Sequence, residues 1–411
     1  MKYQSQLKKV GTIAALGAVA AFAVINLSEN IYDSNQNHVF LQEHNDDQDV
    51  KKEFSKFLNN FNKNYITKEE YRARYEIYAA NYALVNSHNN RNDSTFELEL
   101  NLFADLSPEE FKSMQKLTVS KDIIHSNTQN ENSDNGQGNE DGSRDHIPEP
   151  QQGANDVIIE NEIRQDEEID QVENEEQSNT QDDGNRRRLA VLPSAVDWRT
   201  SGFVSSIKNQ GLCGSCYTFS SLAALESIYK IKKGGNLLDL SEQQLIDCTT
   251  VYGNFGCNGG NMNSNFQYLR YYKIQNETTY PYATRKNACV YQPKFGLFNV
   301  KTFVNVAFND PAAHLAAVAL QPLSIGLAAS NSVFQLYKSG IIDSPTCGTS
   351  VDHAVLLIGY GKDLTGVSYW IIKNSWGVYW GERGYARIRR DTTKGPGMCG
   401  LLQMSSYPVL Y

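Results

Sequence analysis

Two stretches before residue 100 place apolar residues at helical spacing. In the first, they fall at i, i+3, i+4 and i+7, the pattern of an amphipathic helix. The second follows a Thr-Lys-Glu-Glu sequence at 67–70, which has the form of a capping box. Apolar and acidic residues then alternate over 96–100, which predicts a strand. A small helical domain with an aromatic core is therefore predicted. Its apolar stripes are Phe54, Phe57, Leu58 and Phe61, then Tyr71, Tyr75, Tyr78, Tyr82 and Val85.

The last part of the chain, residues 190–411, changes from helical to strand patterns along its length. Its first half carries Ala/Leu-rich and amphipathic stretches, and its second half carries short apolar runs bounded by turn residues. Helices followed by strands indicate an α+β fold, here in two lobes with a cleft between them. The predicted helices are 216–232, 241–248 and 263–273, and the predicted strands are 300–308, 323–327, 354–360, 368–373 and 385–389.

Between these two parts, residues 117–188 are rich in Asn, Gln, Glu, Asp and Gly. Residues 121–185 hold 19 acidic against 3 basic residues, a net charge of −16. Such a segment buries too little apolar surface to fold, so it is predicted to be a disordered acidic linker. It ends at Arg186-Arg187-Arg188, which either suits a processing protease or balances the acidic charge nearby.

Residues 190–411 carry a net charge of +7 within a chain of −9. They show no Lys/Arg cluster interleaved with aromatic residues, so nucleic acid is not expected as a partner. At the other end of the chain, Lys2, Lys8 and Lys9 precede an uncharged run over 10–28. Small residues around Ala23 suit a signal peptidase, which predicts a secretory signal over residues 1–23. An uncleaved membrane anchor is the alternative. Both send the chain into the secretory pathway, toward a lysosome- or phagosome-type vacuole or the exterior.

The chain has seven cysteines, all between Cys213 and Cys399. In an oxidising compartment six of them can pair, which leaves one free. Cys216 opens an Ala/Leu-rich run without Gly or Pro, so it is predicted to lie on the first turn of a helix. The positive end of the helix dipole favours a thiolate there. Cys216 is therefore the candidate nucleophile, in chemistry that needs neither a metal nor a cofactor.

A cysteine nucleophile needs a base and a group that orients the base. Residues 190–411 contain two histidines: His314 lies in a short predicted helix as a surface or packing residue, and His353 precedes a buried strand. Asn374 ends another apolar strand and offers a carbonyl oxygen to the imidazole, with Trp376 able to shield that contact. Gln210 lies six residues before Cys216, so that its amide and the Cys216 N–H form a candidate oxyanion site.

The sequence around these residues resembles the papain-like cysteine proteases. The signature Cys213-Gly214-Ser215-Cys216-Tyr217 is followed by His353 and Asn374 in the family's order, with Tyr217 in place of the commoner Trp. Further matches lie at 192–199, 257–260, 351–354 and 407–408, so the resemblance spans the last 222 residues. It implies a papain-like two-lobe fold, with a helical left lobe and a β-barrel-like right lobe, over residues 190–411. The implied activity is that of a cysteine endopeptidase.

The predicted helical domain resembles the inhibitory propeptide of the cathepsin L type. The resemblance implies a zymogen in which residues 50–116 cover the cleft until acid or cleavage removes them. Glu99 stands where the family usually has Gly. The likeness rests on Glu70, Arg74, Ile77, Tyr78, Asn81, Val85 and Asn89, and on 101–105.

The resemblance also implies individual roles. Cys216 would be a thiolate beside protonated His353 over a broad acidic to neutral range, as is known for this family. Three disulfides would join the other cysteines, and the cleft would take protein and peptide substrates with the chain acting as a monomer. The implied disulfides are Cys213–Cys257, Cys248–Cys289 and Cys347–Cys399.

Substrate selectivity follows from the implied cleft lining. Gly260 would bind the peptide main chain, and Gly214 would border the pocket for the residue before the scissile bond. Met262, Gly326 and Met404 would line the pocket for the residue before that one. An uncharged lining favours a bulky apolar side chain such as Phe or Leu over Arg.

Two other functions compete with this interpretation. Cys213 and Cys216 form a C-x-x-C pair, as in redox proteins. That function would leave the other five cysteines, Gln210, His353 and Asn374 without a role. A non-catalytic peptide-binding homologue is the second alternative, although each catalytic position holds the expected residue type.

Overall fold

A computed structural model describes residues 36–118 and 192–411. The predicted signal over 1–23 lies outside these ranges, and so does all but the first two residues of the predicted linker over 117–188. Within the described residues, no helix is long and apolar enough to cross a membrane. We call residues 36–118 the leader.

The leader folds as predicted around an aromatic core. The rings of Phe54 and Phe57 each lie 5.0 Å from that of Tyr78, and all three side chains are buried. Tyr71 remains 45% exposed, so the predicted stripe is only partly covered. The leader elements are helices α1 (Gln36–Asn60), α2 (Lys68–Asn89) and α3 (Pro108–Ser113), and strand β1 (Phe96–Leu98).

Only half of the predicted capping box forms at the start of α2. Thr67 Oγ1 accepts from the Glu70 N–H at 3.0 Å, but the Glu70 carboxylate accepts from the N–H of Ile66 instead of Thr67. The reciprocal box is found at α3, where Ser107 and Glu110 each bond the other's N–H. In both helices a side chain therefore accepts a hydrogen bond from an N–H of the first turn, but the reciprocal bond to the capping residue forms only at α3.

Helix α4 forms the centre of the helical lobe. Its residues 216–228 are all buried, as expected for a helix covered on every side. One face packs Leu222 and Leu225 with α5 and α6, and the other packs Ala223 and Ala224 against strand residues Leu356, Ile358 and Ile371. The helices are α4 (Cys216–Lys233), α5 (Glu242–Cys248), α6 (Met262–Leu269), α7 (Pro311–Leu320) and α8 (Ser332–Gln335).

The strands form one mixed sheet in the order β1-β5-β8-β7-β6-β4-β9-β3, with β2 paired to β6. All pairs are antiparallel except β5 with β8, and the leader strand β1 extends the sheet at β5. The strands of the second part are β2 (Val196–Asp197), β3 (Thr302–Asn305), β4 (Leu323–Leu327), β5 (Tyr337–Ile342), β6 (His353–Lys362), β7 (Ser368–Lys373), β8 (Tyr385–Arg389) and β9 (Ser405–Val409).

The α+β fold class is confirmed, while several predicted boundaries shift. Strand β3 and helix α6 are shorter than predicted. Helix α6 ends at Leu269 because the chain turns so that the Ile274 N–H bonds the Phe298 carbonyl. Strands β5 and β9 were not predicted. Gly340 interrupts the apolar pattern of β5, and Pro408 in β9 has no N–H for a ladder bond.

Candidate active site

The thiol of Cys216 lies at the start of α4, as predicted. The preceding turn is held by the Cys213–Cys257 disulfide and by the Gly214 N–H, which donates to the Cys257 carbonyl at 3.0 Å. One turn into the helix, Ser220 Oγ donates to the Val355 carbonyl at 2.7 Å. This bond places the first turn of α4 beside the start of β6, and Cys216 is buried there as a free thiol.

His353 and Asn374 meet because their strands are antiparallel. His353 begins β6 and Asn374 follows the last residue of β7, and Leu356 pairs with Lys373 in the ladder between them. His353 Nε2 donates to Asn374 Oδ1 at 2.8 Å. The other ring nitrogen, Nδ1, is buried without a hydrogen-bond partner. The imidazole is therefore oriented at one nitrogen and left available at the other.

Trp376 covers this pair. Its ring stacks on the His353 ring with centroids 4.6 Å apart and an angle of 26° between planes. Trp376 is itself 1% exposed, because Phe103 and Phe111 of the leader pack edge-on against it at 5.6 and 5.3 Å. The His353–Asn374 bond is thus shielded from water by an indole, and the leader shields the indole.

Gln210 is brought to the same place by backbone pairing. Its N–H donates to the Ser375 carbonyl at 2.9 Å, next to Asn374. Its side chain is fixed at both ends: Nε2 donates to the Cys213 carbonyl at 3.1 Å, and Oε1 accepts from Ser375 Oγ at 2.7 Å. An amide nitrogen has two hydrogens. One N–H of Gln210 therefore remains for another acceptor near Cys216.

The leader runs through the cleft in front of these residues. The Gly260 N–H donates to the Lys116 carbonyl at 3.2 Å, and the Gly260 carbonyl accepts from the Thr118 N–H at 2.9 Å. The Leu117 N–H donates to the Asp352 carbonyl at 2.9 Å. These contacts extend two residues past the boundary predicted at residue 116. Main-chain groups on both walls of the cleft are therefore occupied by the leader.

Leu117 lies beside Gly326, one of the residues predicted to line a pocket for an apolar side chain. A Cβ built on Gly326 would lie 2.8 Å from Leu117 Cδ2, 2.6 Å from Val351 and 3.4 Å from Met404. These residues therefore surround one apolar space. Met262, also predicted as a lining residue, is fully buried at the start of α6. Val351 was not predicted as a lining residue, although its position two residues before His353 was a usable signal.

Gly214 faces the neighbouring leader residue. A Cβ on Gly214 would lie 2.9 Å from Lys116 Cβ and 2.7 Å from the Cys257 carbonyl. The absence of a side chain at Gly214 therefore allows a peptide to pass close to the turn before Cys216. This position is consistent with the predicted border of the pocket next to the thiol.

Burial acts against the predicted ion pair of Cys216 and His353. Burial raises the pKa of the Cys216 thiol to about 11, although the N–H groups of Ala354 and Lys116 act in the opposite direction. Burial also lowers the pKa of His353 to about 4, against the effect of its bond to Asn374. A neutral thiol and a neutral imidazole are favoured while the leader excludes water. The ion pair stays a prediction for the leader-free form.

The other cysteines pair as the resemblance implied. The disulfides are Cys213–Cys257, Cys248–Cys289 and Cys347–Cys399. Because Cys213 is bonded to Cys257, it does not form the Cys213–Cys216 bond of the redox alternative. His314 is fully buried, with Nε2 bonded to Ser405 Oγ at 2.8 Å, so it is a packing residue and not a surface residue. Among the described residues, no group of His, Cys, Asp and Glu side chains is arranged to hold a metal ion.

Comparison with known proteins agrees with this geometry. Residues 192–409 match the papain family cysteine proteases, and residues 54–111 match the cathepsin propeptide inhibitor domain. The cysteine protease XCP2 of Arabidopsis thaliana is 38% identical over 358 residues, spanning 87% of this chain and 85% of that protein. Pro-cathepsin H of Mus musculus is 45% identical over 229 residues, spanning 54% and 65%.

Solved precursor structures share the fold. The digestive procathepsin L 3 of the Tenebrio molitor larval midgut superposes with a TM-score of 0.67 at 29% identity, covering 88% of this chain and 99% of that one. A recombinant stem bromelain precursor gives a TM-score of 0.65 at 29% identity, with the same coverage. The chain therefore belongs to the papain family of cysteine proteases and is a zymogen that carries its own cathepsin propeptide inhibitor domain.

Proposed function

We propose that the mature protein is an endopeptidase with a Cys-His-Asn site. His353 takes the thiol proton of Cys216 as the sulfur attacks the scissile carbonyl, and the Gln210 amide with the Cys216 N–H binds the oxyanion. His353 gives its proton to the leaving amine, which breaks the C–N bond and leaves an acyl-enzyme. Water, deprotonated by His353, then hydrolyses the thioester and restores the thiol. Asn374 keeps the imidazole in the required orientation throughout.

The observation that carries this proposal is the bonded state of His353. Its Nε2 is bonded to Asn374 while its Nδ1 is buried and unpartnered. Buried polar atoms are normally paired, so an unpaired ring nitrogen calls for an explanation. The N–H of Ala354, the next residue, acts to lower the pKa of the Cys216 thiol. A base held ready for a proton beside a free thiol supports nucleophilic catalysis.

Latency is proposed to depend on the leader segment 116–118. Its hydrogen bonds to Gly260 and Asp352 use the main-chain groups that a substrate would need. The Lys116 N–H also acts to lower the pKa of the Cys216 thiol. A peptide substrate and this segment therefore compete for one cleft, so the leader must leave before a substrate reaches the thiol.

A bulky apolar residue is proposed two positions before the scissile bond. The support is Leu117, which is 8% exposed within the space surrounded by Gly326, Val351 and Met404. No charged side chain is among these residues to balance an arginine. The activated enzyme is expected to cleave a Phe-Arg dipeptidyl reporter faster than an Arg-Arg reporter. Faster turnover of the Arg-Arg reporter would refute the preference.

We also propose the division of the chain into a signal, a propeptide, a linker and a peptidase that was predicted from the sequence. A signal over residues 1–23 would direct the chain into the secretory pathway, toward a lysosome-type vacuole or the exterior. The linker over 117–188 would be removed with the propeptide over 50–116, and a monomeric peptidase over 190–411 would remain. Sizing the activated enzyme by light scattering tests the monomeric state.

One experiment tests the nucleophile and the processing point together. The purified chain is held at mildly acidic pH with an epoxide inhibitor of thiol proteases, and the product is analysed by N-terminal sequencing and mass spectrometry. The label is expected on Cys216, with the new N-terminus beyond residue 188. A label on another residue, or proteolytic activity that survives complete labelling, would contradict the proposal.

Site variants separate the proposed roles. Cys216→Ser and His353→Ala are expected to abolish cleavage, since each removes a reacting group. Gln210→Ala is expected to lower kcat by about 10²–10³, the usual effect of losing one oxyanion donor. Asn374→Ala should lower kcat while the Cys216 label still forms. A variant of Cys216 that retains full activity would favour a different site.

The two alternatives are tested by thiol chemistry. Titration of the denatured, unreduced chain is expected to find one thiol, Cys216. A reducible Cys213–Cys216 bond would support the redox function instead. A non-catalytic binding protein would capture peptides without cleaving them, and would do so equally well after Cys216 is alkylated.

A further inference from the structure

Tyr217, the residue after the proposed nucleophile, is a fully buried tyrosine. Its hydroxyl donates to the Gly256 carbonyl at 3.0 Å. Its ring lies directly behind Gly260, where an added Cβ would be 2.7 Å from Tyr217 Cε2. A single side chain from α4 therefore contacts both ends of the segment 256–260. The Cys213–Cys257 disulfide joins the same segment to the turn that precedes Cys216.

The segment 256–260 is important because the main chain of Gly260 hydrogen-bonds the leader in the cleft. Its N–H and its carbonyl are both used, by Lys116 and Thr118 of the leader. A peptide bound through Gly260 is in register with the thiol only if Gly260 keeps a set distance from Cys216. Tyr217 is covalently next to Cys216 and in contact with Gly260, so it links these two groups.

A buried amide network supports the same segment from its far side. Asn265 Nδ2 donates to the Tyr217 carbonyl at 3.0 Å, and Asn265 Oδ1 accepts from Asn254 Nδ2 at 2.8 Å. Asn254 Oδ1 then accepts from the Asn261 N–H at 2.7 Å. Buried networks whose members are bonded in this way rigidify a structure. This one joins α4 to the residue that follows Gly260.

We propose that Tyr217 is a positioning residue for peptide binding. Its hydroxyl bond to Gly256 and its ring contact with Gly260 hold the Gly260 main chain where a peptide meets the Cys216 thiol. This inference rests on the proposed function of Cys216 and Gly260. It has a specific consequence, because a peptide uses Gly260 whereas a small thiol reagent does not. Loss of the hydroxyl should therefore affect the two reactions differently.

The test compares peptide cleavage with alkylation in the activated enzyme. Tyr217→Phe keeps the ring and removes the donor to Gly256. Its KM for a peptide reporter is expected to rise about three- to tenfold, the equivalent of one hydrogen bond, with kcat within about twofold. The rate of Cys216 alkylation by iodoacetamide should stay within about twofold, because that reaction does not use Gly260.

Two further variants complete the comparison. Tyr217→Trp keeps a large ring with an N–H donor, and it should restore KM to within about threefold of the wild type. Tyr229→Phe removes a hydroxyl from the other end of α4, where the ring stacks on Phe298 at 4.5 Å. This control should leave both KM and the alkylation rate unchanged.

The results that would refute the role of Tyr217 differ from the result that would refute the proposed function of Cys216. An unchanged KM in Tyr217→Phe would overturn the inference. An alkylation rate that falls as much as peptide cleavage would also overturn it, because the hydroxyl would then support the whole site and not the Gly260 wall. Wild-type enzyme that still cleaves peptides after complete alkylation of Cys216 would instead refute the proposed function.

Discussion

Leu117 offers a direct measure of how tightly the leader closes the cleft. The side chain is 8% exposed and lies against Gly326 in the pocket with Val351 and Met404. Leu117→Ala removes most of this buried surface. Burying one leucine side chain contributes about 1.5–3 kcal/mol, so we take about 2 kcal/mol as the loss in a cleft that can partly relax. Since 1.4 kcal/mol corresponds to tenfold, the open population should rise about 30-fold.

The assay is alkylation of Cys216 in the full-length zymogen at neutral pH. When opening and closing are fast, the rate follows the population of the open form, so iodoacetamide should modify the variant about 30 times faster than the wild type. Mass spectrometry at the end of the reaction confirms that the leader is still attached. Ile66→Ala is the matched control, because this aliphatic leader residue is 92% exposed and should leave the rate unchanged. An increase below about threefold in Leu117→Ala would refute the reasoning, because Leu117 would then not contribute to closure.

Three further predictions address pH, selectivity and stability. Burial raises the pKa of Glu110, but the ion pair with Arg74 lowers it overall. This contribution to the stability of the leader therefore exists above the ordinary value of 4.5 and is lost as pH falls through the lowered pKa. The inhibitor-blocked zymogen should therefore lose melting temperature in Glu110→Gln at pH 6, and this loss should become smaller as the pH falls below 4.5. A loss that stays the same as the pH falls would contradict this. Met404→Glu should raise Arg-Arg over Phe-Arg reporter cleavage at least about tenfold, and an unchanged ratio would place Met404 outside the pocket. The Cys347–Cys399 bond spans 52 residues, so replacing both with Ser should cost about 4 kcal/mol in urea unfolding, and a loss below about 1 kcal/mol would show that the bond constrains little.

Much of the leader was predictable because its signals are local. The spacing of Phe54 and Phe57 is enough to predict a helix with one apolar face, and α1 ends at Asn60 with that face buried. The position of Tyr71 shows where such reasoning stops. It lies on the predicted stripe and its ring contacts that of Phe54 at 5.4 Å, yet the side chain is 45% exposed.

Strands were predictable where an apolar run is continuous. Strands β4, β7 and β8 begin and end as predicted, because each is a short apolar or alternating run between turn residues. Strands β5 and β9 escaped prediction, since Gly340 and Pro408 are residues that strands usually exclude. They are accommodated by partners that are distant in sequence. Residue Phe96 of the leader pairs with Gly340, and Phe303 pairs with Pro408.

The candidate site was also predictable only in part. Cys216, His353 and Asn374 became candidates through their residue types, their order, the predicted helix start at Cys216 and the predicted strand ends at His353 and Asn374. Their actual contacts depend on the antiparallel ladder between β6 and β7, which brings residues 353 and 374 together. Burial raises the pKa of the thiol and lowers that of the imidazole, and burial is a property of the packed structure that no local sequence pattern specifies.

The chemistry that this protein has available could be read from its residues: a free thiol on a helix, an imidazole, an amide to orient it, and an aromatic helical leader. These are properties of residue types and of short-range periodicity. The contacts of Leu117 with Gly326 and of Tyr217 with Gly260 arise only from the packing of the folded chain. Such contacts join residues more than forty positions apart, and no local pattern specifies which pairs will meet once the sheet and α4 have packed.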